Sequence, residues 1–337
     1  MTGSPTTIFL ATSAGLFRYQ GGTIALLGAE QEPITALAPL PGGRVAAATR
    51  GGSLLRAEPD GSVTRLPPAP GDEPLLSLVC VARAGRGVLL LASTAGGRLL
   101  ESADLGETFH RAAAPALARP APLRLVGVPG RPRSALLVAE SGGGWLASEL
   151  PGPFEPWFGA LEAPILQLVA HPVEIELWLA RTASGVVRST DGARSFRPVS
   201  GWPADLRPRR LHFGGGPTPR AFALAHPRRD PPDPSDPSPL WQSSDGGLSF
   251  HPILSRVIDP PRDPSGELTS LATHRDFRDR NAELVLLATD RGELLEWSGA
   301  DRPAALLAGD FPPIESILAV PSRSNVDPST SGVFLLP

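Results

Sequence analysis

The chain contains no lysine, one cysteine, one tyrosine, one methionine and two asparagines among 337 residues, and each shortage removes a class of explanation. A single cysteine, Cys80, cannot form an intramolecular disulfide, and its place in the apolar run 75–81 suits a small buried hydrophobe. All 31 cationic side chains are arginine, balanced by 34 acidic ones to a formal net charge of −3. That balance gives no general field toward nucleic acid or an anionic membrane. No stretch of about 18 apolar residues occurs, and residues 1–7 lack the basic region and apolar run of a secretory signal. The expectation is a cytoplasmic protein with no membrane span. Long helices are excluded by an abundance: 40 prolines interrupt nearly every window of helical length, each costing ~3 kcal/mol inside a helix. With 36 glycines and a 41% apolar fraction, the chain reads as many short strands joined by turns around a real core.

A unit recurs along the sequence: a short apolar strand, a Ser or Thr, a turn with glycine, two bulky apolar residues and often a Ser. Its copies are anchored at Thr12 and Gly15, Thr49 and Gly52, Thr94 and Gly97, Ser141 and Gly144, Thr182 and Gly185, and Thr289 and Gly292. A seventh, broken copy joins a strand at 220–226 to Leu240, Trp241 and Ser243 across the proline-rich insert 227–239. The first five turn glycines are spaced by 37, 45, 47 and 41 residues. Further apolar strands at 34–38, 75–80, 123–128, 165–170, 210–213, 268–272 and 317–320 open the units, so each unit holds four short strands. That is a propeller blade. The predicted fold is all-β, a single seven-bladed β-propeller over 1–337. The last opening strand has no blade after it, while the chain begins with second and third strands at 8–12 and 16–19. The termini therefore share the first blade, about 6–28 with 314–337, and close the ring. The apolar tail 332–336 is left over, to add to an edge or replace a strand in that blade.

Three units carry a more specific hairpin after the third strand: Ser102, Asp104, Gly106, Thr108 and Phe109; Ser189, Asp191, Ser195 and Phe196; Ser243, Asp245, Gly247, Ser249 and Phe250. An Asp there accepts bonds from backbone N–H groups and from the hydroxyl of its own turn, Gly supplies positive φ, and the aromatic ring tucks between strands. The pattern resembles the Asp-box, or bacterial neuraminidase repeat, of sialidases, the sortilin ectodomain, xyloglucan-cleaving enzymes and the propeller assembly factor of photosystem II. The middle copy departs from it, with Ala193 where the family has Gly. The resemblance implies a propeller in which these hairpins sit on the outer rim, away from the ligand face, in a structural role.

A catalytic set is not found. Sialidase chemistry needs three arginines on a carboxylate, a Tyr nucleophile with its Glu, and an Asp acid/base; the only tyrosine, Tyr19, falls in the first unit. His110, His171, His212, His226, His251 and His274 show no metal-ligand spacing, and the glycine runs 142–144 and 214–216 are followed by no helix, so neither a metal nor a phosphate cofactor is predicted. What remains is a partner surface. Glu32, Glu73 and Glu162 precede three opening strands, and Glu267 and Glu315 sit near the equivalent place in two more, whereas the sixth unit carries arginines. From 197 to 229 there are seven arginines against one acid, Asp205. Arg207, Arg209, Arg210, Arg228 and Arg229, with the stiff insert beside them, are the predicted contact with another protein, a polar interface in which arginine pairs bidentately and stacks. The predicted function is a non-catalytic scaffold or assembly factor that binds through blades five to seven; a carbohydrate-active enzyme or glycan-binding module is the competing reading. A segment at 274–280, alternating in charge, lies between the first two strands of the last unit.

Overall fold

The computed structural model describes residues 7–71, 73–82, 87–115, 121–139, 143–158, 161, 163–214, 219–228, 240–253, 267–275, 283–297, 304–309 and 311–320. Within them the chain forms seven four-stranded antiparallel sheets. Blade 1 takes β1 (Thr7–Thr12), β2 (Gly15–Gln20) and β3 (Thr23–Gly28) from the start of the chain. Blade 2 is β4 (Ile34–Leu40), β5 (Arg44–Thr49), β6 (Leu54–Ala57) and β7 (Val63–Leu66); blade 3 is β8 (Leu75–Ala82), β9 (Val88–Thr94), β10 (Leu99–Ser102) and β11 (His110–Arg111). Blade 4 is β12 (Leu123–Gly127), β13 (Ala135–Ala139), β14 (Gly144–Ala147) and β15 (Glu155–Phe158); blade 5 is β16 (Ile165–Ala170), β17 (Trp178–Thr182), β18 (Val186–Ser189) and β19 (Arg197–Pro198). Blade 6 is β20 (Leu206–Phe213), β21 (Ala221–Pro227), β22 (Leu240–Ser243) and β23 (His251–Pro252); blade 7 is β24 (Leu268–Arg275), β25 (Glu283–Thr289), β26 (Leu294–Trp297) and β27 (Ala305–Ala308). The final strand, β28 (Ile314–Val320), pairs with β1 and is the innermost strand of blade 1. The ring therefore closes through mixed termini, in seven blades, as the repeat predicts. No described helix is long and apolar enough to cross a membrane.

Burial explains which strands read as continuous apolar runs. The second strand of a blade has a neighbouring blade on both faces, so β5 is buried from Val45 to Thr49 and β13 throughout. Such strands show no polar alternation, for the reason that strands covered on both faces never do. Alanines such as Ala46, Ala47 and Ala48 let adjacent blades approach, while Leu54, Leu55, Leu75 and Leu90 fill the gap between them. Outermost strands are the exposed ones: both residues of β11, β19 and β23 face solvent.

One irregularity repeats around the ring. The first strand holds one extra residue against the second at Thr35, Leu76, Leu166, Arg209 and Thr269, and at Glu315 in blade 1. Blade 4 pairs without a break, Arg124 opposite Val138. Such a bulge bends the strand and re-aims the side chain. The residue after it is polar in most blades and stitches its blade to the next. Leu125 N donates to Ser77 Oγ at 3.0 Å, and Gln167 exchanges two bonds with the backbone of Leu211, at 3.0 and 2.9 Å. Arg210 donates from Nε to the Thr269 carbonyl at 3.2 Å and from Nη2 to the Glu315 carbonyl at 2.7 Å, spanning two blade boundaries. The bulge threonines add their own bonds, Thr35 Oγ1 to Leu75 O at 2.7 Å and Thr269 Oγ1 to Ile314 O at 2.5 Å.

This seam corrects two sequence expectations. The first strand of blade 6 begins at Leu206, not at 210, so Arg207 and Arg209 lie in the sheet rather than in the loop before it, and Arg210, predicted to contact a partner, is only 8% exposed. Pro227 is likewise the last residue of β21, opposite Leu206, so the insert starts later than predicted. A proline is tolerated at a strand end because no further ladder bond is needed from it. Arg229, Glu162, the insert 229–239 and the tail 321–337 lie outside the described residues.

Replacing Arg210 by Met is expected to cost about 2–4 kcal/mol, because two buried carbonyls lose charge-assisted donors. Arg209→Met, one residue away on the exposed side of the same strand, should cost less than about 1 kcal/mol. Urea unfolding of the two variants checks the contrast.

Candidate functional site

Strands that alternate in direction sort the turns onto two faces. Segments leading into each first strand share one face with the turns between second and third strands; the turns between third and fourth strands occupy the other. The Asp-bearing hairpins and the arginine cluster are therefore on opposite faces of the ring.

Each hairpin has the same bonding. Ser102 Oγ donates to Asp104 Oδ1 at 2.7 Å and accepts from Gly106 N at 2.7 Å, while Asp104 accepts from Thr108 N at 2.9 Å and Thr108 Oγ1 at 2.6 Å. Asp191 with Ser189 and Ser195, and Asp245 with Ser243 and Ser249, repeat this set. Burial alone would raise these carboxyls; the hydroxyl and amide of the following Thr or Ser, with the preceding Ser, outweigh it and hold all three at about 2. Two successive residues then take positive φ: Leu105 and Gly106, Gly192 and Ala193, Gly246 and Gly247. Ala193 thus keeps the left-handed backbone its glycine counterparts adopt, with a methyl buried against blade 4.

The hairpins also clasp the preceding blade. A Cβ on Gly106 would run into Leu54 and Leu66 of blade 2, and Arg56 of that blade pairs with Glu107 at 2.8 Å. In the next copy Trp157 of blade 4 donates Nε1 to Gly192 O at 2.8 Å, and Arg194 lies 4.3 Å over the Trp157 ring. In the third, Arg188 of blade 5 donates Nε to Gly246 O at 2.8 Å, and a Cβ on Gly247 would strike Leu179. Phe196 meets Phe158 edge-on at 5.5 Å and Phe250 meets Trp202 likewise; Phe109 packs against the core between blades 2 and 3.

On the opposite face a cavity of about 630 Å³ opens between blades 5, 6 and 7. Arg181, Arg207, Arg209 and Arg228 line it, with His226, Leu166 and, among the described residues, a single carboxylate, Glu267. Leu166 and Arg209 are bulge residues, and the bulge explains how an innermost strand presents a side chain there. Arg209 Nη2 bridges to Glu267 at 3.0 Å, and Arg228 Nη2 donates to Ser184 O at 2.8 Å. Arg181 is pushed down to about 10, first by burial and then by Arg124 and Arg209. Its Nε is buried with no hydrogen-bond partner among the described residues. Burial likewise lowers Arg210 to about 10, with Arg181 as the next cause, and pushes His226 below its ordinary value against the opposing effect of Glu267. Among the described residues the arrangement is a concentration of cation with one carboxylate against four arginines, suited to hold carboxylates.

Of the predicted partner residues, the structure brings Arg207, Arg209 and Arg228 to one cavity and turns Arg210 into the inter-blade seam. Arg181 lies in a second strand well before the cluster, and its one signal in the sequence is a charge within an otherwise uncharged strand. Of the glutamates that precede first strands, two are spent within their own blades, while Glu267 pairs across to Arg209 of blade 6. Glu32 accepts from Gly51 N at 3.0 Å and pairs with Arg65; Glu73 accepts from Gly96 N at 3.3 Å and pairs with Arg98. Among the described residues no group of three or more His, Cys, Asp or Glu is placed to hold a metal. Cys80 is half-buried, and burial pushes its thiol up to about 12.

No family model and no curated protein sequence matches this chain. Solved structures do. The chain is similar to YCF48 bound to D1 peptide (TM-score 0.59, 12% identity, 91% of this chain and 86% of that one) and to YCF48 from Cyanidioschyzon merolae (0.61, 10%, 90% and 98%). A protein from Lactobacillus plantarum aligns at TM-score 0.65 with 13% identity over 94% of this chain and 99% of that one. The Niastella koreensis GH74 enzyme aligns at 0.56 with 13% identity over 88% of this chain, which spans only 46% of that enzyme. At these identities the likeness is one of fold.

Asp245→Ala should lower stability by about 1–3 kcal/mol through unpaired hairpin donors. Because these carboxyls titrate at about 2 in the folded chain against an ordinary 3.8, their contribution is complete above about pH 5 and lost as pH falls from about 4 toward 2. Melting temperature against pH should therefore drop in that window for the parent, and less steeply for the Asp104→Asn, Asp191→Asn, Asp245→Asn triple variant. Gly106→Ala, by overpacking blade 2, should cost about 1–3 kcal/mol, whereas Ala193→Gly should stay within about 1 kcal/mol, relief of left-handed backbone offsetting one lost buried methyl.

Proposed function

We propose that this chain is a non-catalytic propeller that binds another protein, a scaffold or assembly factor whose partner presents an acidic segment to the arginine cavity. The observation that carries the reading is the cavity itself: among the described residues four arginines and one carboxylate line it, and the buried Nε–H of Arg181 meets no acceptor. Guanidinium groups recognise carboxylates in bidentate geometry, and desolvated ones do so most strongly. The YCF48 structure holding a D1 peptide supports it as a case of this fold gripping a peptide. The hairpins of blades 3, 5 and 6 are, on this reading, Asp-boxes with a structural duty on the far face, and the chain works in the cytoplasm. The likeness to a GH74 enzyme does not carry a glycosidase reading here: hydrolysis uses two opposed carboxylates, and among the described residues that line the cavity Glu267 is the one carboxylate, with no Trp, Tyr or Phe to stack a sugar.

The test is capture of the partner from the source cell by the parent chain and by an Arg207→Glu, Arg209→Glu variant, at low and high salt. Binding should fall at least tenfold, about 1.4 kcal/mol, and the parent's binding should weaken as salt rises. The melting temperature should hardly move, since both side chains are exposed. Equal capture by parent and variant, or cleavage of a β-glucan by the parent, would overturn the reading.

A further inference from the structure

The outermost strand of each blade is a sheet edge, and most of these edges are guarded. Opposite the bulky apolar residue of the third strand, blades 2 to 6 present Arg65, Arg111, Pro156, Pro198 and Pro252. Charge and proline are what sheet edges use to refuse a further strand, since one must be desolvated and the other has no N–H to offer. Blade 7 has Leu306 at this place, on a strand of four residues, and blade 1 has Leu26, opposite Phe17. Blade 1 departs furthest. Its outer strand β3 is six residues long against four or two elsewhere, and contains neither charge nor proline. Ile24 and Leu26, on one face beside Tyr19 and Phe17, are each 42% exposed. No described strand pairs with the outer side of β3.

The turn before β3 fixes where its backbone groups point. Gly21 and Gly22 both take positive φ, 57° and 85°, between Gln20 and Thr23, which lie opposite each other. A two-residue turn of this hand closes on a hydrogen-bonded pair, and bonded pairs alternate with unbonded ones from there. Ala25 therefore bonds inward to Arg18, while the N–H and C=O of Ile24 and Leu26 point out of the blade. The residues with outward backbone groups are thus the residues with exposed apolar side chains. A second copy of β3 matches both features. A two-fold axis normal to the sheet keeps every residue on its own face, so residues that meet across it are an even number apart in sequence. With the axis at Ala25, Ile24 of each copy stands opposite Leu26 of the other; their outward groups form hydrogen-bonded pairs, and their side chains cover one another. No like charges meet, because β3 has none, and Arg18 of β2 lies on the other face, donating to Pro59 O of blade 2 at 3.2 Å. We infer that the protein self-associates through β3, antiparallel about Ala25, into an isologous dimer whose two first blades form one continuous sheet. This inference is independent of the arginine cavity.

Sedimentation of the full chain from micromolar to near-millimolar protein tests it, and should show one chain giving way to two. Leu26→Arg, in imitation of Arg65 and Arg111, and Leu26→Pro, in imitation of Pro156, Pro198 and Pro252, should each weaken the association at least about tenfold. Leu26→Arg should melt as the parent does at concentrations where the parent is a single chain, so loss of association there reports the edge and not unfolding. Cross-linking tests the register. Ala25 faces itself across the axis in an unbonded pair, at about 4.5 Å between Cα atoms, which is within disulfide reach. Oxidation should therefore link two copies of Ala25→Cys but not of Ile24→Cys, with the parent, whose one thiol is the half-buried Cys80, as control. A parent that stays a single chain at every concentration overturns the inference. A dimer that both Leu26 variants retain overturns it too, because its interface then lies elsewhere, and a dimer in which Ala25→Cys forms no link overturns the pairing about Ala25.

Discussion

The pairing of β28 with β1 is the contact on which the rest of the molecule depends. Each blade is a thin sheet with two apolar faces, and neither face can be hidden except by another blade. A row of blades would end in two exposed faces; a ring has no end, provided the last blade reaches the first. Here it does so with six ladder pairs between residues more than 300 apart in sequence. Everything between them, from the buried second strands to the cavity on one face and the hairpins on the other, is held at a radius which that closure sets.

Inside the ring, the same task of joining blade to blade is done three ways. Apolar side chains fill the space between sheets, polar residues after the bulges bond across the innermost boundaries, and the Asp hairpins reach back over the preceding blade. Arg210 and Arg209 illustrate how finely this is divided. They are neighbours in one strand, yet the bulge sends one into the seam, where two carbonyls accept its charge, and leaves the other at the cavity wall, where Glu267 only partly satisfies it. Stability and binding therefore draw on adjacent residues without competing for the same side chain.

The electrostatics of the two faces follow from local pairing and not from net charge, which is small. Glu32 and Glu73 are neutralised by arginines of their own blades. Among the described residues the arginines of blades 5 and 6 have no comparable set of acids, and burial of Arg181 raises the cost of leaving them so. An anionic group seated in the cavity would relieve that cost.

Blade period, blade number, shared first blade and hairpin chemistry were legible in the sequence because each depends on residues close together: a strand, its turn, and the Ser, Asp and Gly of one hairpin. The partner site was legible only in part. Composition could show that arginines crowd 197–229, but whether Arg210 is buried, whether Arg181 joins Arg209, and whether Glu32 faces solvent or Arg65 are matters of strand register and of contacts between distant segments. A shift of one residue at a bulge reverses which side a chain of side groups faces. No local pattern encodes that shift. The sequence by itself determined a seven-bladed ring with Asp-bearing hairpins; the tertiary structure alone decided which charges the ring consumes to hold itself together and which it leaves at the cavity wall.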